Sequence, residues 1–344
     1  MSDEGKHVLV TGFPSAVSRE TAILLSKQPA VKVVLLADAE NFADAEDFAD
    51  FVNRDVATLE GAVTKIDFGL SGREYLQLAE ELDAIVHISL PPPPGSAGKQ
   101  TLEPKEAARE IIELGKASSS ISHIVVLSHL DVSGSKQGVF AEWDLDVGQD
   151  FSDAAGRARF KAEKIYRQFN QSLPITVLRA GWIVGRGREL CPLVQMILSI
   201  EDPESTFAKA PRSEINAIDL QTAAEVLSGL ATSEWSKRAT TLHLKYTNVP
   251  PIIELVREIQ SAARRRAPAG FDLTAGAKRA LRRSNTTDVW SVREFFKRQI
   301  AASPVATSLS LRYFTEHGWQ IPAFDEDAMD HLVEKAVEKI VGFI

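Results

Sequence analysis

The residues best suited to chemistry gather in three phrases of the sequence: VTGFPSAVSRE (10–20), VLSHLDVSG (126–134) and AAGRARFKAEK (154–164). The second holds Ser128, His129 and Asp131 at the end of an apolar run. An imidazole at the carboxyl end of a buried strand can move a proton near neutral pH. Asp131 lies two residues on and can orient the ring if the backbone bends between them. A space-filling, hydrogen-bonded histidine is the plainer alternative. Ser128 and Ser133 read equally well as strand-end and turn residues. Arg159, in the third phrase, stays charged and is no general base, but it can hold a ribose, a carboxylate or a phosphate.

The first phrase joins a strand to a helix. Such a turn brings backbone N–H groups and a helix N-terminus against a pyrophosphate, and glycine permits the close approach. Here Gly12, Phe13, Pro14, Ser15, Ala16 and Val17 are the expected cofactor-facing stretch. Ser15 and Ser18 stand where further glycines are usual. Their hydroxyls can bond a phosphate or cap the helix. Asp38 follows the second strand, where a carboxylate takes a ribose 2′-hydroxyl and repels a 2′-phosphate. NAD(H) is therefore expected over NADP(H). The alternative is a solvated aspartate in the acidic run ADAENFADAEDFAD.

These phrases need a frame. Short apolar runs alternate with amphipathic stretches: strands at His7–Val10, Val31–Leu36, Ala62–Ile66, Ala84–Ser89, His123–Ser128 and Ile175–Leu178. Helices are expected at Ser18–Ser26, Ala43–Asn53, Tyr75–Leu82, Lys105–Ala117 and Arg157–Gln168. Strands spaced this way form βαβ units, which wind into a parallel sheet covered on both faces, in the order 3-2-1-4-5-6. Residues 215–231 read as a short strand and a helix that return to the sheet. The stretch 251–298 reads as helical and basic, and Asp325–Val341 as a closing amphipathic helix. PPPPG (91–95) is expected to be a stiff extended loop.

Several stretches resemble the extended short-chain dehydrogenase/reductases, in particular their thioester reductase and fatty-acyl-CoA reductase branch. They are VLVTGFP (8–14), DFGLSGREYLQLAEELDAIVHIS (67–89), HIVVLSHLDVSG (123–134), EWDLDVGQDFSDAAGRARFKAEKI (142–165) and ITVLRAGWIVGRG (175–187). The resemblance covers about the first 190 residues well and the last third loosely. It implies an α/β, Rossmann-type doubly wound sheet with a smaller, mostly helical C-terminal region. Residues 1–190, with 215–245 returning to the sheet, would form the dinucleotide domain. Residues 191–214 and 246–344 would bind substrate.

The resemblance also implies hydride transfer at a Ser/Thr-Tyr-Lys set. In this chain His129 takes the hydroxyl position, Ala155 the tyrosine position and Arg159 the lysine position. None of the four tyrosines (75, 166, 246, 313) has a lysine four residues later. Ala155 cannot move a proton, so the usual route is missing. Ser89, His129, Asp131 and Arg159 would then line the nicotinamide side. His87 reads as packing. Trp182 would narrow the cleft, stack on a ligand or fill the core. Cys191 reads as a buried thiol.

A net charge of −8 argues against general nucleic-acid binding. No apolar run reaches the roughly 20 residues of a membrane span. One cysteine and the lack of HxxxH or HExxH spacing argue against an internal disulfide and a metal hydrolase. The expectation is a cytoplasmic protein, with homodimer formation left open, a small-molecule ligand, no metal, and no nucleic-acid or membrane partner. The basic run 263–283 reads as a solvated face or an attractor of anions. Three functions stay open: an atypical reductase or epimerase-like enzyme of a small or acyl-linked metabolite, a non-catalytic dinucleotide sensor or scaffold, and a non-redox acid/base enzyme using His129.

Overall fold

A computed structural model describes residues 5–53, 55–89, 103–136, 138–151, 154–185, 193–208, 212–232, 240–283, 296 and 304–342. Near-continuous Val/Ile/Leu runs form strands buried on both faces. In chain order these are β1 (Lys6–Val10), β2 (Val31–Ala37), β3 (Val56–Glu60), β4 (Ala84–Ile88), β5 (His123–His129) and β6 (Ile175–Ala180). Helices α1 (Ala16–Ser26), α2 (Phe42–Val52), α3 (Gly72–Glu81), α4 (Glu103–Ala117) and α5 (Ala154–Gln168) separate them. All pairings are parallel, in the order β3-β2-β1-β4-β5-β6, with β9 (Thr240–Leu244) added beside β6. The order read from the sequence is observed, extended by one strand. This is the Rossmann-type doubly wound α/β fold.

Side chains alternate across this sheet. Val125 and Leu127 of β5 join the core under α1 and α8 (Leu220–Thr232), whereas Ile124 and Val126 join the core under α4 and α5. The same alternation sends Ser128 and His129 to opposite faces, which decides their chemistry below.

Three expectations need correction. The third strand is Val56–Glu60, not Ala62–Ile66. Gly61 ends it, because a Cβ there would lie 2.9 Å from the Phe68 carbonyl oxygen, and Ala62 N–H donates to that oxygen at 2.9 Å, closing a loop over 62–68. The strand of 215–231 does not enter the main sheet. It is β8 (Ala217–Asp219), paired parallel with β7 (Trp182–Val184) in a two-stranded sheet, while α8 packs on the main sheet and β9 makes the return.

Within 251–298 the chain breaks between α9 (Ile252–Arg266) and α10 (Leu273–Arg283), where Pro268 and Gly270 (φ +77°) cannot continue a helix. Part of the basic run is neutralised: Arg266 pairs with Asp330 at 2.6 Å, and Lys278 pairs with Glu201. Short helices α6 (Leu193–Leu198) and α7 (Pro203–Phe207) pack against α9, and the chain continues through α11 (Ser308–Glu316) to α12 (Glu326–Val341). PPPPG and Cys191 lie outside the described residues. Among the described residues no helix is long and apolar enough to cross a membrane.

Candidate active site

At the carboxyl edge of the sheet, Gly12 turns the chain from β1 toward α1 with φ +89°, and a Cβ there would stand 2.5 Å from the Ile88 carbonyl oxygen. Only glycine fits such a turn. Phe13 folds inward against Phe48, with ring centroids 5.8 Å apart, and Arg19 lies over it at 4.5 Å. Phe13 is buried, so its bulk is withdrawn from the loop's open side.

Ser15 is the N-cap of α1: its Oγ accepts from Ser18 N–H at 3.2 Å. Ser18 is fully buried, and its hydroxyl donates to the Ser15 carbonyl at 2.8 Å. Both serines thus serve the helix terminus, the second of the two roles their hydroxyls could take. Ala16 and Val17 form the first turn of α1. Asp38 is exposed just past β2, where its carboxylate accepts from Asn41 N–H at 3.1 Å and from Asn41 Nδ2 at 2.7 Å. Ser89 is half-buried just past β4.

His87 is buried one residue inside the end of β4, and its Nδ1 is 2.8 Å from Thr11 Oγ1. Burial pushes its pKa down to about 4 from the ordinary 6.5. A histidine that resists protonation when folded favours the unfolded chain once pH falls below 6.5. The stability that His87 contributes is therefore complete above pH 6.5 and declines as pH drops toward about 4. The full loss is on the order of 3 kcal/mol. Denaturant midpoints measured from pH 7 to pH 4 should fall steadily, and less so in His87→Gln.

Beyond β5 the backbone bends into a 3-10 turn, Leu130–Ser133, so Asp131 comes back over His129. Asp131 N–H donates to His129 Nδ1 at 3.1 Å. That nitrogen is an acceptor, so the neutral ring carries its proton on Nε2. Asp131 Oδ1 lies 3.3 Å from the same Nδ1 but makes no hydrogen bond, because the ring offers no proton there. Arg159 of α5, almost wholly buried, pairs with Asp131 Oδ2 through Nη1. Burial alone would raise the Asp131 carboxyl; the Arg159 guanidinium holds it well below the usual carboxylate range. The Trp182 ring meets the His129 ring edge-on, with centroids 4.5 Å apart.

Two buried polar atoms of this cluster, His129 Nε2 and Asp131 Oδ1, have no hydrogen-bond partner among the described residues. Such atoms cost about 1–3 kcal/mol each when left unsatisfied. A proton gained at Nδ1 would face Asp131 Oδ1 and satisfy it, while Nε2–H would still lack an acceptor among the described residues.

Ser128 takes no part. Its Oγ donates to Glu163 Oε1 at 2.5 Å, on the opposite face of the sheet. There Glu163 Oε2 accepts from Arg179 Nε at 3.0 Å and Nη2 at 2.8 Å. Arg179 Nη1 donates to His243 Nε2 at 3.2 Å, and His243 Nδ1–H donates to the Ala306 carbonyl at 2.7 Å. Burial, then Arg179, pushes the His243 pKa down to about 3. Ser310 Oγ accepts from His243 N–H at 2.7 Å and donates to Glu142 Oε1 at 2.9 Å. Ser133 is buried beside the turn.

The four tyrosines are placed elsewhere. Tyr75 packs on Phe68, and Tyr166 is buried in the core under α4 and α5. Tyr246 donates to Asp219 at 3.2 Å, and Tyr313 stacks on His317 at 4.5 Å. Burial, and for Tyr246 also Asp219, raises the Tyr166 and Tyr246 phenols above their ordinary value. Ala155 is half-buried on α5 and offers only a methyl.

No family model matches the sequence, and no curated protein matches it. Solved structures do. The chain is similar to the terminal R domain from the myxalamid PKS-NRPS biosynthetic pathway, at TM-score 0.72 and 15% identity, covering 100% of this chain and 93% of that one. It is similar to the reductase (R) domain of a nonribosomal peptide synthetase from Mycobacterium tuberculosis, at TM-score 0.72 and 17% identity, with the same 100% and 93% coverage. It is also similar to yeast methylglyoxal/isovaleraldehyde reductase complexed with NADPH, at TM-score 0.63 and 13% identity, covering 98% of each chain. At these identities the likeness is one of fold, the Rossmann-type α/β architecture, over 98–100% of this chain.

Proposed function

We propose that this protein is an atypical NAD(H)-dependent reductase of a small or acyl-linked carbonyl compound, with His129 in place of the usual phenol. The observation that carries the reading is the buried, unpartnered Nε2–H of His129, backed by an equally unpartnered Asp131 Oδ1. The strand-turn-helix at Gly12 fits a dinucleotide: its glycine conformation and the N-terminus of α1 are the features a pyrophosphate needs. Gly12, Phe13, Pro14, Ser15, Ala16 and Val17 would form the pyrophosphate loop. Asp38 would take the ribose hydroxyls, and Ser89 and Arg159 would stand on the nicotinamide side. The bound nicotinamide supplies a hydride to the carbonyl carbon.

His129 Nε2–H hydrogen-bonds the carbonyl oxygen. In the protonated ring, Nδ1–H points to Asp131 Oδ1, and Nε2 gives its proton to the oxygen as it becomes an alkoxide. The ring is then neutral, with its remaining proton on Nδ1 facing Asp131. Arg159 positions Asp131 by holding Oδ2, which leaves Oδ1 for the ring. Trp182 fixes the ring plane.

A second reading, a nucleotide-binding protein without turnover, draws support from the burial of His129 and Arg159, whose side chains are 8% and 4% exposed. Calorimetric titration tests the part common to both. NADH should bind at least about tenfold more tightly than NADPH, a difference of about 1.4 kcal/mol. Asp38→Ser should narrow that gap. Tighter NADPH binding, or no saturable binding of either, contradicts the proposal. Binding without NADH oxidation, tried against a panel of aldehydes and acyl thioesters, selects the second reading.

A further inference from the structure

A cavity of about 590 Å³ that shares no lining residue with the His129 cluster opens between the C-terminal part of α1, the middle of α8 and residues 319–322. Leu24 lies nine residues beyond Ser15, so the cavity begins roughly 14 Å along α1 from the nucleotide loop. Its volume is within the usual range for a small-molecule site.

The walls are of two kinds. Leu24, Val226, Phe314, Trp319 and Ile321 give an apolar floor and side. Trp319 is seated on bare backbone: a Cβ at Gly229 would come within 2.1 Å of its ring. Phe314 stacks on it with centroids 6.1 Å apart and planes 13° apart. A glycine inside α8 costs helix stability of about 1 kcal/mol relative to alanine, and here it makes room for the indole.

The polar groups are unbalanced. Gln28 Nε2 donates to Ser228 Oγ at 2.8 Å, which leaves the Gln28 carbonyl oxygen as an acceptor. The Thr222 hydroxyl donates to Asp219 at 2.6 Å, which leaves its lone pairs. Glu225 is exposed at the rim; one of its carboxylate oxygens accepts from Gln221 at 2.7 Å. Among the described residues no lysine, arginine or histidine lines the cavity. Among the described residues, the lining amide N–H groups not placed on a neighbour are those of Gln320 and the second one of Gln28, and neither is charged. Acceptors and one full negative charge thus stand over an aromatic wall.

We infer that this cavity is a binding site for a small organic cation with an apolar body, an amine whose ammonium head meets Glu225 and Gln28 while its body lies against Trp319. The ammonium donates to the acceptor-rich rim, and the indole adds a cation–π attraction. A carboxylate of the same shape would meet Glu225 with like charge. The site is independent of the nucleotide cleft, and the inference stands whether or not NADH is turned over.

The probes are phenethylammonium, 2-phenylethanol and phenylacetate, which share a body and differ in the head. Each is titrated calorimetrically into the whole protein. Phenethylammonium should bind at least about tenfold more tightly than 2-phenylethanol, an increment within reach of a cation–π contact plus a charged hydrogen bond. Phenylacetate should show no saturable binding. Glu225→Gln, a surface change, should erase the preference for the cation over the alcohol. Leu24→Trp should fill the cavity and abolish binding while NADH affinity is unchanged. Equal affinity for all three probes, a cation preference that survives Glu225→Gln, or no saturable binding of phenethylammonium overturns the inference.

Discussion

Arg179→Met should cost on the order of 3–5 kcal/mol of folding free energy, the largest effect of any single substitution proposed for this chain. Arg179 is fully buried near the end of β6, the strand next to the edge strand β9, and its charge is compensated by Glu163, itself only 4% exposed. Removing the guanidinium strands the Glu163 carboxylate in the interior. It also takes away the donor on which His243 Nε2 depends, and the donors to the Glu142 and Asp144 carbonyls. The network reaches from β5 through α5, β6 and β9 to residues 306 and 310, so the loss should loosen the C-terminal segment as well. The double variant Arg179→Met/Glu163→Leu should recover part of the loss, because the desolvation cost of two charges disappears with them. Urea midpoints of the three proteins measure this. A single-variant loss below about 1 kcal/mol would mean that solvent reaches the pair.

The second large effect is on turnover. With an aldehyde or acyl thioester that the protein reduces, His129→Gln should lower kcat by about 10²–10⁴-fold, the usual contribution of a positioned acid. NADH affinity should change little, because the proposed role of the ring is toward substrate oxygen rather than the pyrophosphate loop. Asp131→Asn should lower kcat by a comparable factor: it removes the acceptor for Nδ1–H and leaves the buried Arg159 charge without a partner. A His129→Gln protein with unaltered kcat would remove the imidazole from the reaction.

The frame was legible because its signals are local. Val33, Leu35, Val86 and Val125 sit in unbroken apolar runs that only a sheet covered on both faces can hide, and the strand order follows from βαβ winding. The third strand was misplaced because VATLE and AVTKI are equally strand-like. The difference lies in Gly61 and its approach to Phe68, a contact that no local pattern displays. The His129–Asp131 pairing was readable, given a backbone bend, and the 3-10 turn after β5 supplies it. Ser128 was read as a neighbour of His129 in chemistry because it is a neighbour in sequence; strand alternation separates them onto two faces.

The Glu163–Arg179–His243 network went unseen, although its signal was present. An arginine inside the apolar run ITVLRAG must find a buried anion, and FKAEK held one. Its partners come from residues 16, 35, 37 and 64 positions away in sequence, and only the fold identifies them.

The central claim is that Asp131 N–H fixes His129 as a donor at Nε2. Long-range ¹H–¹⁵N correlation of the histidine rings, with the His129 signals assigned by their loss in His129→Gln, tests it directly without any substrate. In the neutral ring, Nε2 should resonate as a protonated, pyrrole-like nitrogen and Nδ1 as a bare, pyridine-like one. The reverse pattern, a proton on Nδ1 and a lone pair on Nε2, would leave Nε2 with no proton to donate and contradict the account.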